Sequence, residues 1–172
     1  MKWRYLLSCW FLWLPALWGG PAEDHLASVQ VRKDTIALLR QGKLPESKQR
    51  LAATVPNGVA ALAGDLVLGR EWVTISFHFH ARGETALARQ AAAEAVALAT
   101  VISRGSGLSS ERASFLTNTG LVCERVLRNL AQAKVFYDAA LAAQPASDHT
   151  RQLQRHADEK IKRQATTKGG GS

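Results

Sequence analysis

From Asp24 onward the apolar residues return at helical spacing, and no stretch bounded by turns alternates strictly between apolar and polar. A chain patterned this way buries its apolar faces by packing amphipathic helices on one another, so the fold class it implies is all-α. Seven helical segments separate at their breakers. The first runs from Asp24 to Gln41 and stops at Gly42-Lys43; Pro45 suits the first turn of the second, and Pro56-Asn57-Gly58 closes it. A third segment spans Val59 to His80, with Gly64 and Gly69 as places for a break or bend.

The fourth, Glu84 to Ser103, is dense in alanine, which favours helix and lets neighbouring helices approach closely. Gly105-Ser106-Gly107 reads as a flexible link. Ser109 or Ser110 caps a fifth helix that ends near Arg128. A sixth covers Asn129 to Gln144, and Pro145 stops it. Ser147 or Asp148 caps a seventh helix to about Arg163, and the polar stretch 165–172 is expected to be disordered.

The first 22 residues have a different character. Met1-Lys2-Trp3-Arg4 is followed by an apolar run from Leu6 to Trp18 and then by Gly19-Gly20-Pro21-Ala22. A positive start, a short apolar run and small residues form the pattern of a secretory signal peptide. The run is shorter than the roughly 20 residues a spanning helix needs. Export to the periplasm or outside the cell is therefore expected, with an uncleaved anchor as the alternative. Leu6-Leu7-Ser8-Cys9 superficially resembles a lipobox, but a lipobox cysteine follows the apolar run, whereas Cys9 lies near its start. Loss of Cys9 with the leader leaves Cys123 with no partner for a disulfide, and it reads as a small buried hydrophobe.

Length and composition fit one domain with a sizeable core: 172 residues, 47% hydrophobic, net charge +8. A mean hydropathy of −0.11 excludes a polytopic membrane protein. With Lys2 and Arg4 gone, 20 basic residues still face 14 acidic ones. Nucleic acid is a poor match, because no aromatic-basic platform is present. Peripheral contact with an anionic envelope surface would fit the charge.

Helices joined by short turns form αα-hairpins, and hairpins recurring along a chain point to a solenoid. The sharpest unit is Asn129 to Pro145, where Ala133, Tyr137, Ala140 and Pro145 follow a small, aromatic, small, proline order. This unit resembles the second half of a tetratricopeptide repeat. Gly120 is similar to the small residue of that family's first helix, but it lies one residue too far from Ala133. A second match runs through Ser76, Phe79, Gly83 to Ala88, Ala92 and Ala95; a third, degenerate one runs from Leu39 to Ser47 with Leu51. Successive units are spaced more widely than the family's 34 residues. The resemblance implies antiparallel hairpins stacked as a short tetratricopeptide-like solenoid over residues 23–164, with the seventh helix as a polar cap.

It further implies a concave groove lined by the first helix of each hairpin. Carried over position by position, the groove takes Arg32 and Arg40 from the first unit, Arg70, Phe77 and His80 from the second, and Thr117, Glu124 and Arg125 from the third. Such a mostly basic groove suits a protein or an acidic peptide.

Other chemistry has little support. The only close histidine pair, His78 and His80, diverges on a helix and has no cluster nearby to complete a metal shell. No HExxH, GxSxG or P-loop spacing occurs, so no catalytic residue, cofactor or metal is expected. The expectation is an exported interaction adaptor, not an enzyme. The alternative is a structural helical-bundle subunit of a cell-envelope assembly, without a peptide groove.

Overall fold

The computed structural model describes residues 21–55, 58, 60–105 and 109–169. It is all-helical: seven α-helices, and no strand among the described residues. They are α1 (Pro21–Arg40), α2 (Leu44–Ala52), α3 (Ala61–Ala81), α4 (Thr85–Ser103), α5 (Ser110–Val122), α6 (Leu130–Ala143) and α7 (Asp148–Gly169). A π-helical turn, Cys123–Leu127, is inserted between α5 and α6. The expected signal peptide lies outside the described residues except for Pro21 and Ala22, which open α1. Pro56 and Asn57 of the second turn, and Ser106 and Gly107 of the link, also lie outside them.

Successive helices pair as hairpins, α1 with α2, α3 with α4 and α5 with α6, and α7 packs on α6. The second and third hairpins also pack together, through α3 on α5 and α4 on α5. Each hairpin carries a small, buried residue on each of its two helices: Thr35 and Ser47, Ser76 and Ala88, and Gly120 and Ala133. Small side chains there let two helix backbones approach, and the larger residues nearby fill the remaining space. The alanine face of α4 (Ala88, Ala91, Ala92, Ala95 and Ala99) is fully buried. Around it lie Trp72, Ile75 and Phe79 of α3 and Phe115 and Leu116 of α5. By length and composition α4 alone among the described helices could cross a membrane.

The boundaries differ from the sequence expectations in four places. α2 stops at Ala52, earlier than the Pro56 turn, with Thr54 and Val55 N–H groups already bonded to the carbonyls of Leu51 and Ala52. α3 runs unbroken through Gly64 and Gly69, because Gly69 is where the Phe115 ring crosses: a β-carbon at 69 would collide with that ring. The fifth helix keeps α geometry only to Val122, and the π-turn completes it. α7 continues to Gly169, so residues 165–169 are helical where an unstructured tail was expected.

Local signals account for the helix ends. Ser109 accepts the Arg112 N–H at 3.2 Å and Asn129 accepts the Gln132 N–H at 3.0 Å, each satisfying a first-turn donor. Ser147 does the same for the Thr150 N–H at 3.3 Å. Gly42 and Gly83, both at φ +74°, end the first helix of their hairpins in the left-handed region, where glycine pays no Cβ penalty.

Candidate functional site

The third hairpin departs from the other two in its spacing. Ser47 follows Thr35 by twelve residues and Ala88 follows Ser76 by twelve, whereas Ala133 follows Gly120 by thirteen. The extra residue is absorbed in the Cys123–Leu127 π-turn, since a π-turn is an α-helix with one residue inserted. The turn closes when the Asn129 N–H donates to the Cys123 carbonyl at 2.9 Å. This is the physical origin of the one-residue slip visible in the sequence.

A second departure sits at the end of the same turn. The left-handed residue comes five places before the small residue of the second helix in every hairpin: Gly42 before Ser47, Gly83 before Ala88, Arg128 before Ala133. The third hairpin therefore carries arginine, at φ 59°, where the first two carry glycine.

The π-turn and Arg128 form one wall of a cleft of about 450 Å³ between the end of α5, the start of α6 and the middle of α7. That volume lies within the range of small-ligand and peptide side-chain pockets. Leu121, Leu130 and Leu153 supply its apolar lining. Arg125, Arg128, His156 and Lys160 surround them, and Glu124 is the one carboxylate among the lining residues.

Glu124 is a structural anchor of this cleft. Its side chain is 11% exposed; Lys160 Nζ donates to Oε1 at 2.7 Å and the Tyr137 hydroxyl donates to Oε2 at 3.2 Å. Burial acts to raise the carboxyl, but the Lys160 ammonium outweighs it, helped by Tyr137 and His156, and the group sits below the ordinary carboxylate range. Burial, and then the Glu124 charge, push the Tyr137 hydroxyl well up, so it stays a neutral donor. With Glu124 satisfied in this way, the guanidiniums of Arg125 and Arg128 are exposed and make no ion pair with another described residue. The cleft is cationic at its edge and apolar inside.

The eight residues expected to line a groove stand as follows. Arg32 makes a bidentate pair with Glu71 at 2.6 and 2.8 Å, and Arg40 one with Glu84 at 3.0 and 2.7 Å while stacking over the Phe79 ring at 5.6 Å. Their charges are met by the protein's own carboxylates. Arg70 and His80 are exposed on α3, and Phe77 is half-buried against the core. Thr117 is buried, and its hydroxyl shares a hydrogen bond of 2.9 Å with that of Thr150 on α7. Of the eight, Glu124 and Arg125 line the cleft beside the π-turn. Comparison with known families, curated proteins and solved structures returned no match for this chain.

The partners missed from sequence are Arg128, His156 and Lys160. A signal for the first was present, as an arginine aligned with two turn glycines; the other two arrive only through the packing of α7. Among the described residues no three of His, Cys, Asp and Glu converge as metal ligands would. Cys123 lies fully buried inside the π-turn, and burial pushes its thiol up to about 12. That is the opposite of what a reactive thiol needs.

Proposed function

We propose that this chain is an exported, tetratricopeptide-like interaction adaptor that holds an acidic segment of a partner protein, and that the cationic cleft beside the π-turn is its contact site. The observation that carries the reading is the pair of unneutralised guanidiniums, Arg125 and Arg128, beside a leucine-lined cleft, while Arg32 and Arg40 already have carboxylate partners. Three hairpins, each with a small buried residue on both helices, support the repeat assignment, and the leader pattern of residues 1–22 supports export.

Affinity capture with the tagged full-length chain tests this, comparing wild type with Arg125→Glu/Arg128→Glu and with Arg40→Ala. A partner lost on the double charge reversal and kept on Arg40→Ala is the expected result. Capture indifferent to residues 125 and 128 would remove the cleft from the function. Fractionation of cells expressing the chain tests export separately.

One observation favours the second reading, a structural subunit of an envelope assembly. Val101 and Val135 are each 59% exposed, and Val135 lines an uncharged trough between α4 and α6 with Phe136, Thr100 and Ser103. Light scattering separates the two: an obligate oligomer disrupted by Val135→Lys supports the structural reading, and a monomer removes it.

A further inference from the structure

The strained arginine at the end of the π-turn points to the chemistry of what this cleft takes. We infer that the cleft is an oxyanion site, binding a carboxylate or phosphate group carried beside an aliphatic side chain, and that Arg128 is retained in a left-handed backbone position for that purpose. The inference rests on the interaction reading above and names the ligand chemistry of that same site.

The first two hairpins are an internal control for the third. Three hairpins of one chain turn at equivalent places, and two of them use glycine there. A residue with a β-carbon is disfavoured at φ 59°, because the β-carbon crowds the following carbonyl. The Arg128 backbone N–H donates to the Cys123 carbonyl, as a glycine's would, and its guanidinium makes no ion pair with another described residue. An outlier of this kind, held in place by its surroundings, belongs with sites where strain serves function. The same applies to the inserted residue of the π-turn, a feature that recurs at functional sites and that the first two hairpins lack.

The cleft then specifies the ligand. Arg125 and Arg128 come from one wall and His156 and Lys160 from the other. Guanidinium groups bind carboxylate and phosphate oxygens through paired N–H donors, which favours an oxyanion over a diffuse negative surface. The half-buried Glu124 sets the position of Lys160 through their 2.7 Å contact, which leaves the arginines as the unengaged donors. Leu121, Leu130 and Leu153 give an adjoining apolar surface that an aliphatic side chain can cover.

The test is fluorescence anisotropy of the full-length chain with one labelled peptide, Gly-Ser-Leu, in three forms: free C-terminal carboxylate, C-terminal amide, and amide with the serine phosphorylated. Binding of either charged form at least tenfold tighter than the neutral amide is expected, and the tighter of the two identifies the oxyanion source. Arg128→Gly should weaken that binding about tenfold while raising the thermal midpoint. Arg128→Lys, which keeps the charge and the strain, should retain part of the binding at an unchanged midpoint. Equal binding of all three forms, or full binding by Arg128→Gly, would overturn the inference, and so would a lowered midpoint for Arg128→Gly. Peptide binding that requires Arg128, together with protein capture that ignores it, would sink the adaptor reading and leave the oxyanion site standing. Arg128-dependent capture without oxyanion binding would do the reverse.

Discussion

The Tyr137 ring lies directly on the bare α-carbon of Gly120: a β-carbon at 120 would stand 2.6 Å from ring Cδ1 and 3.0 Å from Cζ. The two residues belong to α5 and α6, and both are buried. Their contact sets how closely the third hairpin closes, and the Tyr137 hydroxyl then reaches Glu124 at the cleft.

Gly120→Ala should therefore destabilise the fold. Overpacking of this kind costs about 1–3 kcal/mol, against roughly 1 kcal/mol gained from alanine's helix propensity. A net loss near 1 kcal/mol is expected in urea denaturation. Tyr137→Leu in the Gly120→Ala background should recover part of the clash, as a double-mutant cycle would detect. An unchanged midpoint for Gly120→Ala would contradict the packing.

The Glu124 carboxyl sits below its ordinary value in the fold, so its stabilising contribution is present above the unfolded-state pKa of about 4.3. That contribution falls away as pH drops through the lower, folded-state value. Glu124→Gln should lower stability at pH 7 by on the order of 1 kcal/mol, discounted for partial exposure. It should also flatten the acid limb of the stability curve between about pH 5 and 3. A parallel downward shift at every pH would mean that packing, and not charge, is what was lost.

Cys123 should be silent toward thiol reagents in the folded protein. With its thiol raised to about 12 and no exposed surface, almost no thiolate exists at pH 8. In a Cys9→Ser background, labelling by a disulfide reagent should proceed only at the rate of unfolding. Fast labelling of native protein would show that the π-turn opens on its own.

The first hairpin is tied to the second by ion pairs of one polarity. Arg32, Arg40 and Lys48 stand on α1 and α2, and Glu71 of α3, Glu84 at the N-cap of α4 and Glu94 of α4 answer them. Arg32–Glu71 is the most buried of the three, with side chains 28% and 14% exposed. Arg32→Ala should cost more stability than Lys48→Ala, by about 1 kcal/mol, because exposed pairs contribute little. Raising salt from 0.05 to 1 M should lower the thermal midpoint of wild type more than that of Arg32→Ala, since screening acts on the pairs. Equal effects of the two substitutions would argue against this ranking.

Much of the fold was legible in the sequence because helices announce themselves locally. Periodicity, the turn glycines Gly42 and Gly83, the cap Ser109 and the alanine run of α4 all act within a few residues of where they sit. The site was less legible. Glu124 and Arg125 were reachable through the repeat pattern, while the same pattern also named Arg32 and Arg40, whose charges are cancelled by carboxylates 39 and 44 residues away.

By itself the amino-acid sequence determined an all-α chain, the order of its helices and an irregularity of one residue between Gly120 and Ala133. The tertiary structure decided what that irregularity is, a π-turn ending in a left-handed Arg128. It also decided which basic residues remain open to a partner. Backbone preference is a local property and can be read along the chain. Whether a charge is neutralised depends on what packs against it, and α7 brings His156 and Lys160 to the cleft from about 30 residues beyond the turn that forms its other wall.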